Sequence, residues 1–479
     1  MIDDLKPYPA MKDSGVPWLG EVPEHWGVFP NRVIFDEIKE RDRPEAVMLS
    51  VTINKGVIRQ QTLLEDGSKK DGSKLDRSAY KFVRSGDIVY NKMRAWQGAV
   101  GVSEFEGIVS PAYVVQHPRE GGDPHFLHYL FRTPAFAKEA ERWSYGITSD
   151  MWSLRPEHFK MIYSCLPPLP EQAAIVRFLD HADRKIRRYI RAKQKLIKLL
   201  EEQKQAIIHR AVTRGLDPNV RLKPSGVEWL GDVPEHWEVR RLKDVAVVQT
   251  GLTLGKVYLG LPENSYPYLR VANVQSGRVD LRHVKHVDVP EREARGAMLR
   301  PGDVLLTEGG DIDKLGRGCV WHAQIPVCLH QNHVFAVRCN RIQLLPLFLE
   351  GLMASEHGRT FFQLTAKQTT NLAATNSTTL RSFPILLPPP HEQQAIIDFI
   401  AQRTEAVSRA LEDVHSEIEL LREYRTRLIT DVVTGKLDVR EAAAGLPEEG
   451  IEEASDEQED VEGLEAGEDD LGLNDDADE

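Results

Sequence analysis

The sequence predicts a tandem repeat of two α/β blocks, each followed by a long coiled-coil helix. The Trp-rich stretch GVPWLGEVPEHWGV (15–28) returns as GVEWLGDVPEHWEV (226–239) with eleven of fourteen residues identical. The stretch LPPLPEQAAIVRFL (166–179) returns as LPPPHEQQAIIDFI (387–400) with eight of fourteen identical. Both Pro-rich stretches run into segments of helical periodicity. The order Trp-rich stretch, variable block, Pro-rich segment and helix therefore occurs twice.

Composition predicts a soluble globular protein of two or three domains. The 479 residues are 41% hydrophobic and 28% charged, as in ordinary soluble proteins. No apolar run approaches the ~18–20 residues that span a bilayer, and the acidic, proline-broken N-terminus is unlike a signal peptide. Four cysteines are too few for a disulfide framework, which favours a cytoplasmic location.

The charge of the chain is unevenly distributed. Residues 441–479 hold 18 of the 73 Asp and Glu and none of the 61 Lys and Arg. The rest of the chain is therefore mildly basic, with a net charge of +6. The acidic tail, 437–479, lacks apolar periodicity and is expected to be disordered.

The two variable blocks, 28–168 and 240–389, combine strand and helix patterns. The Gly-Asp turns of GDIVY (86–90) and GDVLL (302–306) each precede a strand. Further strands are predicted at 109–116 and 331–338, and short helices at 124–143 and 344–362. Beyond these correspondences the two blocks differ in sequence, so one scaffold carries two different inserts.

Long helices are predicted at 169–215 and 390–436, with Gly215 and Gly435 as C-caps. Apolar residues follow a heptad spacing for about five heptads, which indicates coiled coil. The first helix is basic and the second acidic, so they are suited to pair, and ~40 residues span about 60 Å. The segments 1–27 and 216–239, the second of which repeats 8–28, are predicted to be structural joints.

No stretch predicts catalysis. GLTLGK (251–256) has the wrong glycine spacing for a phosphate loop and lacks its Ser or Thr. The Asn-Pro-Pro-aromatic motif of amino-methyltransferases is absent from the sequence. Cysteines and histidines between 319 and 339 are zinc-ligand types, but their alternation along a strand favours buried structural residues and no metal. The four tryptophans of the repeated stretch are expected to pack rather than to stack on bases.

Five loops combine cations and amides in the manner of nucleic-acid contacts. They lie at 65–77, 91–99, 270–278, 314–317 and 367–379. The candidate DNA-binding residues are Lys69, Lys70, Lys74, Arg77, Asn91, Lys92, Arg94, Gln97, Arg270, Asn273, Gln275, Arg278, Lys314, Arg317, Lys367 and Gln368.

The repeated WLGxVPEHW, the Gly-Asp turns, the LPPxxEQ segments and their tandem order resemble the specificity subunit of type I restriction–modification enzymes. The resemblance covers residues 8 to about 438. It implies α/β (α+β) target-recognition domains in tandem, separated by two antiparallel coiled-coil helices in a circular pseudo-two-fold repeat. The N-terminus is then expected near the end of the second helix.

The resemblance also implies function and partners. Each recognition domain reads one half of a split site in double-stranded DNA, and the chain itself is not an enzyme. Two modification subunits methylate adenine with S-adenosylmethionine, and restriction subunits use ATP and Mg²⁺; this chain binds no cofactor. The alternative is a coiled-coil assembly protein whose blocks bind protein. The acidic tail is either a solubilising segment or a weak competitor of non-specific DNA.

Overall fold

The computed structural model describes residues 5–41, 43–61, 77–146, 151–256, 258, 262–310, 315–368 and 373–447. The chain divides into two compact units. Unit 1 combines the residues up to Arg191 with those from Ile418 onward, and unit 2 is Ala192–Glu417. Both long helices therefore contribute one segment to each unit.

Unit 1 contains twelve strands among its described residues. They are β1 Met11–Asp13, β2 Glu21–Pro23, β3 Gly27–Pro30, β4 Phe35–Ile38, β5 Leu49–Thr52, β6 Gly56–Arg59, β7 Lys81–Val83, β8 Ile88–Asn91, β9 Val100–Val102, β10 Gly107–Val109, β11 Tyr113–Pro118 and β12 Tyr163–Leu166. Its helices are α1 Asn31–Ile34, α2 Pro124–Phe131, α3 Pro134–Arg142, α4 Pro156–Phe159 and the beginning of α5 Leu169–Arg214.

Unit 2 contains the remaining strands of the described chain. They are β13 Leu222–Pro224, β14 Asp232–Pro234, β15 Glu238–Arg241, β16 Ala246–Thr250, β17 Asn264–Leu269, β18 Val274–Gln275, β19 Arg278–Val279, β20 Lys285–Val289, β21 Val304–Thr307, β22 Gly309–Gly310, β23 Gly318–Val320, β24 Leu329–His330, β25 Val334–Cys339, β26 Lys367–Gln368, β27 Ala373–Ala374 and β28 Pro384–Leu387. The further helices are α6 Leu242–Val245, α7 Glu291–Gly296, α8 Pro346–Ala354, α9 Glu356–Thr365, α10 Ser377–Arg381, α11 Pro390–Val433 and α12 Arg440–Ala444; α11 ends in unit 1, where α12 also lies.

Each unit has a four-stranded antiparallel sheet of the same design. The strand order is β4-β11-β8-β9 in unit 1 and β16-β25-β21-β23 in unit 2. A separate two-stranded ribbon, β3–β12 or β15–β28, connects the block to the start of a long helix. The sequence-divergent blocks therefore share one scaffold.

The Gly-Asp turns have the same geometry in both sheets. Gly86 and Gly302 have φ of +86° and +88°, a backbone conformation that favours glycine. The buried Asp87 accepts a 2.8 Å bond from the amide of Arg84, and Asp303 accepts one of 2.8 Å from Arg300. This side-chain bond closes the turn that leads into β8 and β21.

The stretch predicted as helical at 124–143 is two helices. Asp123 caps α2 by accepting from the amides of His125 and Phe126, and Thr133 caps α3 by accepting from the amide of Phe136. Pro134 has no N–H to continue α2, so the chain starts a new helix there. The stretch at 344–362 likewise forms α8 and α9, which meet at the extended Ser355.

The long helices run antiparallel within each unit. In unit 1, Asp183 of α5 forms an ion pair with Arg425 of α11. In unit 2, Lys204 Nζ donates a 3.0 Å bond to Ser408 Oγ, and Lys193 pairs with Glu417. Residues further along α5 contact residues earlier in α11, so the two helices run in opposite directions.

The predicted heptad positions lie inside the helix pairs. Every one of them is buried or half-buried: 179, 183, 186, 190, 193, 197, 200, 204, 207 and 211 on α5, and 400, 404, 407, 411, 414, 418, 421, 425, 428 and 432 on α11. The predicted heptad stripe therefore coincides with the less exposed side of each long helix, and its polar positions Asp183, Lys193, Lys204 and Arg425 bond to the other helix.

The repeated Trp-rich stretch joins three segments of chain. In unit 1, Trp26 is fully buried and its Nε1 donates a 2.9 Å bond to Oε1 of Glu171 in the first turn of α5. His25 Nε2 lies 2.7 Å from the other carboxylate oxygen, Oε2, and the Tyr8 hydroxyl donates a 2.7 Å bond to Oε1. A Cβ at Gly435, just after α11, would lie 3.1 Å from the Trp26 ring.

The same joint exists in unit 2. Trp237 Nε1 donates a 3.0 Å bond to Glu392 Oε1, and His236 Nε2 lies 2.7 Å from Glu392 Oε2. Gly215, after α5, would place a Cβ 3.3 Å from the Trp237 ring. The packing role predicted for the tryptophans is confirmed for these two, which are 0% exposed; Trp229 is 38% exposed.

The glutamine after each joint glutamate fixes the Pro-rich segment. Gln172 Nε2 donates to the carbonyls of Pro167 and Gly121, and its Oε1 accepts from the amide of Asp123. Gln393 makes the corresponding three bonds to Pro388, Gln343 and Leu345. Each glutamine ties the start of a long helix to the loop that precedes a block helix.

The prediction that the tail is disordered from residue 437 is wrong for its first residues. Val439 and Ala443 are buried in unit 1, where α12 packs against the joint, because their apolar side chains fill its core. Lys6 forms a bridge with Asp438, so the N-terminal segment lies beside the end of α11 as the sequence predicted. Residues 448–479, the remainder of the predicted tail, lie outside the described residues.

Candidate nucleic-acid interface

The candidate residues of unit 1 lie where β8 turns into β9. Asn91 ends β8, and its Oδ1 accepts a 2.9 Å bond from the amide of Met93. A single 3₁₀ turn, Ala95–Gln97, follows. The side chains of Arg94 and Gln97 are exposed, whereas Lys92 is half-buried. The turn is therefore a fixed platform that presents a guanidinium and an amide to solvent.

Aromatic packing holds this turn. The Trp96 indole donates a 2.9 Å bond to the carbonyl of Met93. Its ring meets the ring of Trp152 edge-on, with centroids 5.5 Å apart. The main chain of Lys92 bonds to Ala112 on one side and Leu154 on the other. These contacts restrict the backbone from which Arg94 projects.

Cations that the sequence reading missed surround Lys92. Lys81 is 9% exposed and donates a 2.6 Å bond to the carbonyl of Tyr113. Burial lowers the pKa of Lys81, and the charges of Lys92, Arg41 and Lys39 lower it further, against the opposing effect of Glu37. Lys92, Arg41 and Lys39 therefore lie close enough to Lys81 to act on its charge, and Glu37 lies among them. Sequence reasoning did not identify Lys81, because it is the one charged residue in the otherwise apolar stretch YKFV.

The candidate residues of unit 2 gather around a small hairpin, β18–β19. Gln275 pairs with Arg278 across the hairpin. The Arg317 Nη1 atom donates a 3.2 Å bond to Gln275 Oε1, and the amide of Gly277 bonds to the carbonyl of Gly318 at the start of β23. The structure therefore brings Gln275, Arg278 and Arg317 together from two separate loops.

Asn273 supports this arrangement from beneath. It is 3% exposed, and its Oδ1 accepts from the amide of Arg270 at 2.9 Å. Its Nδ2 donates to the carbonyls of Asp280 and His283. All three bonds go to main chain, so Asn273 positions the turn and is turned away from solvent.

Two guanidinium groups carry buried donors without a partner. Within the described part of the chain, the Nε atoms of Arg270 and Arg317 are buried and have no hydrogen-bond partner. A buried N–H of a charged group that is left unpaired costs free energy.

The other candidates are scattered or not described. Arg77 is half-buried, and Lys367 is exposed on β26, which pairs with β27. Gln368 also lies in β26, and its side chain is not described. Lys69, Lys70, Lys74 and Lys314 lie outside the described residues.

The cysteines between 319 and 339 are buried side chains of unit 2. Burial raises the pKa of the Cys319, Cys328 and Cys339 thiols to about 12. Cys319 and Cys328 belong to an apolar cluster with Trp321 and Leu269. Over the described ranges, no three His, Cys, Asp or Glu side chains are grouped as metal ligands would be. No helix in the described chain is both long and apolar enough to cross a membrane.

Part of the chain resembles known proteins in sequence. Residues 234–420 match the family model described as the type I restriction modification DNA specificity domain. The type I restriction enzyme MjaVIII specificity subunit of Methanocaldococcus jannaschii is 26% identical over 386 residues, which cover 76% of this chain and 84% of that protein. The EcoKI specificity subunit of Escherichia coli is 23% identical over 286 residues, which cover 58% of each.

The fold has a counterpart among solved structures. A chain from a structure on the assembly and conformational transition of a type I R-M system superposes with a TM-score of 0.61. The match covers 87% of this chain and 99% of that chain at 18% identity. The likeness therefore concerns the fold.

Proposed function

We propose that this chain, which belongs to the specificity subunits of type I restriction–modification systems, reads the two halves of a split DNA site. The observation that carries the proposal is the equivalence of two loops. The turn from β8 to β9 carries Lys92 and Arg94, and the connection from β21 to β23 carries Arg317. β8 and β21 occupy the same place in their sheets. The loop that follows this strand therefore carries cationic side chains in both units, although the two loops differ in sequence.

In unit 1, the residues divide into two roles by their exposure. Lys92 is half-buried beside the turn, which suits contact with a phosphate and carries no sequence information. Arg94 and Gln97 are exposed on a rigid turn, which suits contact with base edges in a groove.

In unit 2, a guanidinium and an amide stand side by side. Arg317 contacts Gln275, and these two side-chain types form bidentate pairs with guanine and adenine respectively. The contact with Gln275 holds the Arg317 guanidinium in a defined position beside the hairpin. Asn273 holds the main chain of Arg270 in place.

The long helices are proposed to set the distance between the half-sites. The duplicated joints support a circular pseudo-two-fold repeat, because Glu171 and Glu392 are bound by the same Trp and His pair. In unit 2, the Trp-rich stretch follows α5 directly along the chain. In unit 1, the N-terminal segment is not continuous with α11, and the β-bridge between Lys6 and Asp438 links the two instead. A two-fold protein matches the two-fold relation of DNA strands.

The helix surfaces are proposed to bind the partner subunits. Leu196 and Leu199 on α5 are 40% and 53% exposed, and Leu420 on α11 is 63% exposed. Leu196 and Leu199 lie three positions apart on one face of α5, and adjacent exposed apolar side chains offer a surface to a partner. We assign two modification subunits, which bind S-adenosylmethionine, to these faces. Restriction subunits, when present, bind ATP and Mg²⁺.

The decisive experiment is binding and methylation with reconstituted subunits. The chain with its modification subunits should methylate adenine at a split site, as methylome sequencing detects, whereas the chain alone should neither methylate DNA nor cut it with ATP and Mg²⁺. Activity of the chain alone would contradict its non-catalytic role. A complex that assembles but shows no sequence preference would favour the assembly-protein alternative.

A further inference from the structure

The first residue after β8 is held by two main-chain bonds. The amide of Lys92 donates a 3.1 Å bond to the carbonyl of Ala112, just before β11. The carbonyl of Lys92 accepts a 2.9 Å bond from the amide of Leu154. These bonds fix the backbone at this position between two other segments of unit 1, independently of the side chain that it carries.

The first residue after β21 is held in the same way in unit 2. The amide of Glu308 donates a 2.9 Å bond to the carbonyl of His333, just before β25. The carbonyl of Glu308 accepts a 2.8 Å bond from the amide of Thr375. Because β8 and β21 occupy the same place in their sheets, Glu308 stands where unit 1 has Lys92. The position is shared, and the charge at it is reversed.

The Glu308 carboxylate is oriented by a histidine and remains in contact with solvent. Its Oε2 atom lies 2.7 Å from His333 Nδ1, and since a carboxylate only accepts, Nδ1 is the donor. The side chains of Glu308 and His333 are 26% and 57% exposed. The two oxygens of a carboxylate can accept several hydrogen bonds, so His333 leaves acceptor capacity free.

Glu308 lies among the cations of the candidate interface. The amide of the preceding Thr307 bonds to the carbonyl of Arg317 at 3.1 Å. The following Gly309 belongs to β22, in the sheet β22-β27-β26, whose outer strand β26 carries Lys367. Within the described ranges, neither Arg317 nor Lys367 forms an ion pair with Glu308. Neutralising these cations therefore does not account for the carboxylate.

We infer that Glu308 reads the amino group of a cytosine in the half-site of unit 2. A carboxylate repels the phosphates that a lysine at this position would attract, so its favourable partner on DNA is a hydrogen-bond donor. In the major groove, cytosine presents its N4 amino group, from which Glu and Asp accept. A thymine or guanine would present an acceptor oxygen to the carboxylate and be rejected. This role rests on the proposed function and adds to it a negatively charged specificity residue.

Deleting single amino groups from the DNA tests the role. Each cytosine of the recognised site is replaced in turn by 2-pyrimidinone, which lacks the N4 amino group, and each adenine by purine, which lacks the N6 amino group. One cytosine replacement, in the half-site that Arg317→Ala affects, should weaken binding of the reconstituted complex about ten- to hundredfold. The Glu308→Ala complex should lose that penalty. Because the altered base pair is the same for both complexes, the difference between them reports the contact.

Matched variants separate a direct contact from damage. Glu308→Gln keeps an accepting oxygen and should retain part of the sensitivity to the amino group. Glu308→Lys, which copies unit 1, should lose the sensitivity and tighten binding to all sequences at low salt. Glu104→Ala is the control, because Glu104 pairs with the exposed His125 at 3.0 Å but lies outside the five candidate loops. Its binding to every DNA should match that of the parent complex.

Each other outcome has a distinct meaning. A Glu308→Ala complex as sensitive as the parent to every amino group would overturn the role of Glu308, as would equal weakening on all the DNAs, which indicates a structural role. Sensitivity lost at an adenine would overturn the assignment to cytosine. A parent complex that prefers no sequence would refute the proposed function and the role of Glu308 with it, whereas a parent that reads a split site confines the failure to Glu308.

Discussion

The indole nitrogen of Trp26 lies 2.9 Å from Oε1 of Glu171, and this bond joins the first Trp-rich stretch to the first turn of α5. Glu171 is only 6% exposed, and Tyr8 and His25 supply its other hydrogen bonds. A buried carboxylate is tolerated where such donors compensate its lost hydration. The repetition of the stretch therefore reflects a structural requirement that occurs at both joints.

Removing the Trp26 donor should destabilise unit 1. Trp26→Phe keeps an aromatic ring but leaves Glu171 one hydrogen bond short, which should cost about 1–3 kcal/mol. Trp237→Phe should act similarly in unit 2. Urea unfolding followed by fluorescence gives the shift. Trp18→Phe is the control, because the Trp18 indole bonds to the carbonyl of Tyr163 at an exposed position; an equal loss there would contradict the assigned role of Glu171.

Arg94→Ala should relax recognition of one half-site only. If the exposed guanidinium contacts a base, its loss should weaken specific binding by about 1–3 kcal/mol at one position. Lys92→Ala should instead weaken binding to all sequences and reduce its salt dependence. Binding of the reconstituted complex to a panel of DNA variants measures both. A uniform loss in Arg94→Ala would show that it contacts phosphate.

Arg317→Ala should affect the other half-site. Its guanidinium contacts Gln275, and its Nε has no partner within the described chain. The same DNA panel should show relaxed recognition in the half-site that Arg94→Ala leaves intact. Lys367→Ala provides the comparison, because this exposed lysine lies on a separate strand pair. If Arg317→Ala changed recognition only in the half-site that Arg94→Ala affects, the proposal that each unit reads a different half-site would be wrong.

Sequence reasoning identified the elements that are repeated and missed what depends on tertiary contact. Heptad spacing located the helices, because a buried stripe imposes a period that is visible locally. The Gly-Asp turns were visible because a positive φ favours glycine. The burial of Asn273 and the pairing of Gln275 with Arg317 were not visible, because they depend on a contact between segments 42 residues apart. Helix α12 was not predicted, because in sequence it adjoins the acidic residues of the tail.

The stability of unit 2 should fall between about pH 4.5 and 7. Glu350 of α8 is hydrogen-bonded to the main chain of Val320, and burial raises its pKa from 4.5 to about 7. The folded unit therefore holds this proton more tightly than the unfolded chain. The stabilisation is complete below pH 4.5 and is lost as the pH rises through about 7.

Glu350→Gln should remove that pH dependence. The amide carries no charge at any of these pH values, so denaturation midpoints of the variant should stay level where those of the parent chain fall. Glu356→Gln is the matched control, since the Glu356 side chain is 75% exposed on the next helix. Parallel pH profiles for the parent and Glu350→Gln would show that another group is responsible.

Lengthening both helices together should lengthen the unread spacer of the DNA site. The insertion point after Leu200 on α5 has its counterpart near Leu411 on α11, because Lys204 contacts Ser408 in the antiparallel pair. Four residues add about 6 Å, which corresponds to nearly two base pairs at about 3.4 Å each.

Both half-sites should stay unchanged, because both insertions lie in the long helices, outside the blocks 28–168 and 240–389 that carry the candidate contacts. Methylome sequencing of cells that carry the variant complex reads the spacer directly. An insertion in α5 alone is the control, and it should disrupt the pairing and lose activity. An active double variant with an unchanged spacer would show that the helices do not set the distance.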